Sequence, residues 1–106
     1  METPGYLKSA EAIFSETERE HIVSMVAANP DCGELMQGTG GFRKARFPRA
    51  GMGKRGGARV IYIVRNENSP VFLVAAYAKN RKENLTKQER NQLAQRADAI
   101  FASYRR

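Results

Sequence analysis

The chain has 106 residues, 42% of them hydrophobic, and sets 18 Lys and Arg against 11 Asp and Glu for a formal net charge of +7. That length and composition predict one folded domain over residues 1–106 with a single core, and exclude a disordered chain. A lone cysteine (Cys32), a lone histidine (His21) and the lack of any apolar run near the roughly 20 residues of a membrane span exclude an internal disulfide, a zinc ligand set and a transmembrane helix.

The first third predicts two helices. Thr3 before Pro4 is an N-cap followed by proline at the first helical position. Tyr6, Ala10, Ile13 and Phe14 then share one helical face. Ser15 and Glu18 form a capping-box pattern that opens a second helix, with Ile22, Met25 and Val26 as its apolar stripe. Asn29-Pro30 ends it, because the residue before proline is pushed out of the helical region. Cys32 to Gln37 reads as one more short turn.

The middle changes character. Gly38-Thr39-Gly40-Gly41 is a break, and Phe42 to Phe47 reads as a strand. Pro48 to Gly57 holds four glycines and a proline and reads as a long loop. Ala58 to Arg65 and Val71 to Tyr77 are rich in β-branched and aromatic residues, with a turn over Asn66 to Pro70. They predict an antiparallel hairpin. Thr86 and Glu89 form another capping box, followed by Leu93, Ala97, Ile100, Phe101 and Tyr104 at helical spacing. The expected fold is α+β: two N-terminal helices, an antiparallel sheet of three to four strands and a C-terminal helix. Met1 to Gly5 lacks the basic start and apolar core of a signal peptide, and together with the lone thiol this predicts a cytoplasmic protein.

The charge is concentrated. Arg43, Lys44, Arg46, Arg49, Lys54, Arg55 and Arg59 fall within residues 42–59, and no acidic residue does. Such like charges repel unless a polyanion neutralises them, which points to nucleic acid. A solvated basic loop is the plainer reading. Lys44 and Arg46 are two apart and share a side of their strand, and Arg59 joins them if the strands pair. The cluster suits a phosphate clamp. It also suits RNA cleavage, because RNA carries its own nucleophile in the 2′-hydroxyl. The enzyme then supplies a base, cations around the phosphorane and an acid for the leaving oxygen. Lys44 is the candidate base, a role open to a lysine if neighbouring cations lower its pKa. Arg46 and Arg59 are the charge stabilisers.

Other features carry less. Gly51-Met52-Gly53-Lys54-Arg55 lacks the Ser or Thr and the first glycine of a phosphate-binding loop. Cys32 reads as a packed or idle thiol and His21 as a surface or interface residue. Tyr62 and Tyr77 read as strand packing. Tyr77 is also suited to stacking a base or donating a proton.

Gly38-Thr39-Gly40-Gly41-Phe42-Arg43-Lys44-Ala45-Arg46, Gly53-Lys54-Arg55-Gly56-Gly57-Ala58-Arg59-Val60-Ile61-Tyr62, Ala76-Tyr77-Ala78-Lys79-Asn80 and the helix entry Glu83-Asn84-Leu85 together resemble the RelE/HigB superfamily of toxins, in its HigB-like branch. The resemblance covers most of the chain. It implies a type II toxin-antitoxin toxin: a ribosome-dependent, metal-free endonuclease that cuts mRNA in the ribosomal A site and needs no cofactor. It also implies a cognate helix-turn-helix antitoxin and a toxin-antitoxin complex on operator DNA. By position, Lys44 and Arg46 match the basic pair of the family's first catalytic strand. Arg59 matches the arginine opening the next strand, and Lys79 a basic position after the last one. Arg43, Arg49, Lys54, Arg55 and Arg81 are left to grip the RNA backbone.

The chain departs from classical RelE in two ways. Asn80 stands where an arginine follows that last basic position, and Thr86 falls roughly where a tyrosine would be. The acid role is then unassigned, with Lys79 and Arg81 as candidates. Relatives also usually have a strand before the Glu2-Thr3-Pro4 segment, so either the sheet lacks that strand or the true start lies upstream; a missing strand would expose a sheet edge for an antitoxin segment or a second copy. The rival readings are a ParE-type gyrase inhibitor, a basic nucleic-acid-binding module and an inactive toxin.

Overall fold

The computed structural model describes residues 1–49, 53–65, 70–78 and 86–104. Helices α1 (Pro4–Glu11) and α2 (Glu16–Ala28) come first. Strands β1 (Glu34–Leu35), β2 (Phe42–Arg49), β3 (Gly53–Ile63) and β4 (Phe72–Ala78) follow, and α3 (Lys87–Tyr104) ends the described chain. The strands form an antiparallel sheet in the order β1-β2-β3-β4. The architecture is the expected α+β arrangement.

The helix starts follow from local chemistry. The Thr3 side chain accepts a hydrogen bond from the Tyr6 N–H, with Pro4 at the first helical position where its missing N–H costs nothing. Ser15 and Glu18 exchange both bonds of a capping box, and so do Thr86 and Glu89. Tyr6, Ala10, Phe14, Ile22 and Val26 are buried against one sheet face. Met25 is not part of that stripe: it is 43% exposed, because Ile22 and Val26 already define the contact line. On the opposite face α3 packs Ala97 and Phe101 onto Phe42, Ile61, Ile63 and Phe72. The Phe101 and Phe72 rings meet edge-to-face at 5.1 Å, and the Arg65 guanidinium, ion-paired to Asp98, lies over the Phe101 ring.

Two expectations are corrected. Pro48 to Gly57 is not a long loop, because β2 and β3 run on until Arg49 opposes Gly53. Pro48 sits where the register shifts, beyond the two residues that β1 pairs, so its missing N–H leaves no ladder bond unmade. Cys32 to Gln37 is not a helical turn either: Glu34 and Leu35 pair with Lys44 and Arg43. The chain entering β1 is held by Tyr62, whose hydroxyl donates to the Pro30 carbonyl at 2.6 Å and accepts from the Gly33 N–H at 2.8 Å. Burial and the nearby Cys32 thiol push the Tyr62 phenol up to about 12. A Cβ on Gly33 would stand 2.8 Å from that hydroxyl, so only glycine passes here. Tyr62→Phe leaves the buried Gly33 N–H unpaired and is expected to cost about 1–3 kcal/mol, read from the urea midpoint.

Gly38 to Gly41 is a structural turn. Gly40 and Gly41 have φ of +80° and +115°, which side chains resist. Between Gly38 and Gly40, fully buried Thr39 donates to the Met36 carbonyl at 2.7 Å and accepts from the Phe42 N–H at 3.1 Å. This turn reverses the chain from β1 into β2. At the far side of the sheet Met1 to Thr3 lies parallel to β4, with a bridge from Glu2 to Leu73. That stretch of edge is covered. No helix among the described residues is long and apolar enough to cross a membrane.

Candidate functional site

Antiparallel pairing decides where the basic residues meet. In the β2–β3 register Arg46 opposes Arg59, and in the β3–β4 register Arg59 opposes Tyr77. Arg46, Arg59 and Tyr77 therefore form one row across three strands, with roughly 4.5–5.5 Å between Cβ atoms of opposed residues. Lys44 opposes Ile61, one step along the same face. The row lies on the face that α3 covers, where Leu93 and Tyr77 flank its apolar cluster.

A bulge brings Tyr77 there. The register shifts between Ile61 and Tyr62, which oppose Ala75 and Leu73, so Val74 is the extra residue of β4. Phe72, Val74, Ala75 and Tyr77 all pack on the α3 side, while Leu73 and Ala76 face α1 and α2. Strict alternation from Phe72 and Val74 would have sent Tyr77 to the other face.

Arg59 is the least ordinary residue in the row. It is only 8% exposed, and its Nη1 has no hydrogen-bond partner among the described residues. The Tyr77 hydroxyl beside it is also buried and unpartnered there. A guanidinium keeps its charge in any protein, so it cannot escape burial by losing a proton. Its cross-strand neighbour Arg46 carries the same charge and adds repulsion. Burial pushes the Tyr77 phenol above its usual range; the Arg59 charge pulls the other way, and Glu89 adds to the rise. The phenol thus stays protonated at neutral pH and can donate. Two donors without a partner among the described residues thus stand on opposed residues of one sheet face, and an anion held between them would satisfy both.

The other sequence-predicted residues fall into two groups. Arg43 opposes Tyr62 and so points to the α1 and α2 side. Its guanidinium donates to the Gly33 carbonyl at 2.8 Å and lies 3.5 Å from Asp31, fastening the chain ahead of β1. It is apart from the row. Lys79 and Arg81 lie outside the described residues, as do the side chains of Arg49, Lys54 and Arg55. Lys44 is half-buried and Arg46 exposed, so one end of the row opens to solvent. Tyr77 joins the cationic residues in place, although its sequence context reads as ordinary strand packing. The signal for it is positional: an aromatic with a polar tip, set opposite Arg59.

The family described as the RelE toxin of the RelE/RelB toxin-antitoxin system matches residues 34–106, from β1 to the end of the chain and through every residue of the row. That span exceeds half of the sequence, and the chain belongs to the RelE toxin family.

Proposed function

We propose that the chain is a toxin of the HigB-like branch and a metal-free endoribonuclease that cuts mRNA in the ribosomal A site. The observation that carries this reading is the row across β2, β3 and β4 in which Arg59 and Tyr77, each with a buried donor that has no partner among the described residues, stand beside the exposed Arg46. A scissile phosphate seated there pairs with both guanidiniums, and the field of the row strengthens as charge builds on the phosphorane. Lys44 takes the proton of the 2′-hydroxyl. The 2′-oxygen attacks phosphorus, the bond to the 5′-oxygen breaks, and Tyr77 donates a proton to that departing oxygen. The products are a 2′,3′-cyclic phosphate and a 5′-hydroxyl. Reprotonation of Tyr77 and deprotonation of Lys44 by solvent restore the site.

Lys79, the residue after Ala78 in the sequence, serves the same anion in this reading. Arg49, Lys54, Arg55 and Arg81 steer the RNA backbone, and their contribution falls steeply with salt. The cognate antitoxin is a helix-turn-helix protein that carries the complex to operator DNA.

Tightly controlled expression, followed by mapping of new mRNA 5′ ends, tests the reading. Cuts within translated codons are the expected result. DNA damage without mRNA cuts would instead indicate gyrase poisoning. Binding without either effect would indicate a plain phosphate-gripping module.

A further inference from the structure

Charge is divided unevenly along the chain. Residues 1–20 hold five of its 11 acidic residues (Glu2, Glu11, Glu16, Glu18 and Glu20) against two of its 18 basic ones, Lys8 and Arg19, so this end is acidic on a chain of net charge +7. The fold keeps that end apart from the cationic row: α1 and α2 pack on one sheet face, and the row lies on the other.

Between the N-terminal segment and α2 lies an open groove of about 410 Å³, with Glu2, Glu16, Arg19, Glu20 and Val23 in its lining. Glu2, Glu16 and Glu20 are exposed and make no ion pair among the described residues. Glu16 and Glu20 are four apart on α2, so their like charges oppose each other in the free helix. Two buried donors belong to the same region. Tyr6 is 0% exposed and its hydroxyl has no hydrogen-bond partner among the described residues; nor has the buried Nε of Arg19. Arg19 reaches Glu11 only at 3.8 Å, beyond hydrogen-bond range. Burial pushes the Tyr6 phenol up to about 12; Glu2 adds to the rise and Arg19 opposes it, so the hydroxyl stands within reach of two charges of the groove lining.

We propose that this groove binds a lysine- or arginine-rich peptide segment of a partner protein. Cationic side chains of that segment pair with Glu2, Glu16 and Glu20, and their methylene stems lie against Val23. A main-chain carbonyl of the segment accepts from Arg19 or from the Tyr6 hydroxyl. Charge complementarity carries the choice of a basic occupant. The unmet donors carry the choice of a peptide. A free polyamine has donors alone and leaves Arg19 and Tyr6 unanswered, whereas a basic peptide brings cations and carbonyl acceptors together. RNA is repelled by the three carboxylates. No group of three candidate metal ligands exists among the described residues. The proposal goes beyond RNA cleavage and stands without it, since none of Lys44, Arg46, Arg59 and Tyr77 lines the groove.

The probe is a capped synthetic peptide of alternating lysine and glycine, titrated calorimetrically into the full chain at low salt. Net charge alone predicts repulsion from a chain of +7, so a saturable complex is the first expected result. The double replacement Glu16→Gln and Glu20→Gln, at two exposed α2 positions, is expected to weaken binding by about tenfold or more. Glu34→Gln removes an exposed carboxylate outside the groove and should bind as the wild type does. In the wild-type chain the amide resonances of residues 16–24 should shift on peptide addition, a readout that needs no variant to fold. No complex, unchanged affinity in the double variant, or an equal loss in Glu34→Gln overturns the proposal. Spermine binding as tightly as the peptide assigns the groove to a free polyamine, and the same shifts on adding an RNA oligonucleotide assign it to nucleic acid; either result overturns the proposal. So does self-association of the free chain that the double variant abolishes, which assigns the groove to a second copy. None of these readouts measures cleavage, so the nuclease reading stands or falls separately.

Discussion

Replacing Arg59 by Met is expected to remove RNA cleavage while leaving the fold as stable as before, or more so. The two effects have one cause. Arg59 is 8% exposed, its Nη1 has no partner among the described residues, and it faces Arg46 across the strands. In the free protein this arrangement is unfavourable, since a buried charge without a partner is costly and a like charge opposite adds to the cost. Methionine keeps the unbranched stem that packs against the sheet and removes the charge. The unfolding free energy should therefore stay level or rise by about 1 kcal/mol or more. With substrate the balance reverses, because the same guanidinium meets the phosphorane in a water-poor site. Loss of one such donor lowers the rate by about 10²–10³-fold. Urea titration and a single-turnover cleavage assay read the two sides. A clear drop in the urea midpoint would show that the guanidinium serves the fold instead.

Tyr77→Phe is the second large effect. The hydroxyl has no protein partner among the described residues, so its removal should not lower stability. Cleavage should fall by about 10²–10⁴-fold if the phenol protonates the leaving oxygen. Burial raises the phenol pKa, so the donor form is complete below the usual tyrosine value. Activity that depends on it is lost only as pH rises through the elevated value. A substrate with sulfur in place of the 5′-oxygen separates proton donation from mere positioning. Thiolate leaves without a proton, so the defect of Tyr77→Phe should largely disappear on that substrate. A defect of equal size on both substrates would assign Tyr77 to phosphate binding.

Much of the fold is legible because it is written locally. Thr3-Pro4, the Ser15–Glu18 pair and the Thr86–Glu89 pair set helix starts through bonds within four residues, and all three form as their spacing predicts. The apolar stripes of α1 and α3 follow from the helical period. The misread segments depend on distant partners. Glycines and a proline mark residues 48–57 as a loop, yet pairing with the opposite strand overrides their propensity and the bulge absorbs Pro48. Cys32 to Gln37 becomes a strand entry because Tyr62, some thirty residues away, bonds to Pro30 and Gly33.

The site divides in the same way. That Lys44 and Arg46 share a face is visible from alternation alone, and so is Arg59 as a candidate neighbour. The place of Tyr77 is not visible, since it depends on Val74 being the extra residue of a bulge. Arg43 shows the converse. It belongs to the same acid-free run as Arg46, but odd spacing turns it to the other face, where Gly33 and Asp31 engage it.

The chemistry of the cut ends tests the central claim most directly. Ribosome-bound mRNA is incubated with the wild-type chain and with Arg59→Met, and the fragment termini are identified. Attack by the 2′-hydroxyl within the Arg46–Arg59–Tyr77 row predicts 2′,3′-cyclic phosphate and 5′-hydroxyl ends from the wild type and almost no fragments from the variant. Ends bearing a 5′-phosphate, or equal cleavage by Arg59→Met, would contradict it.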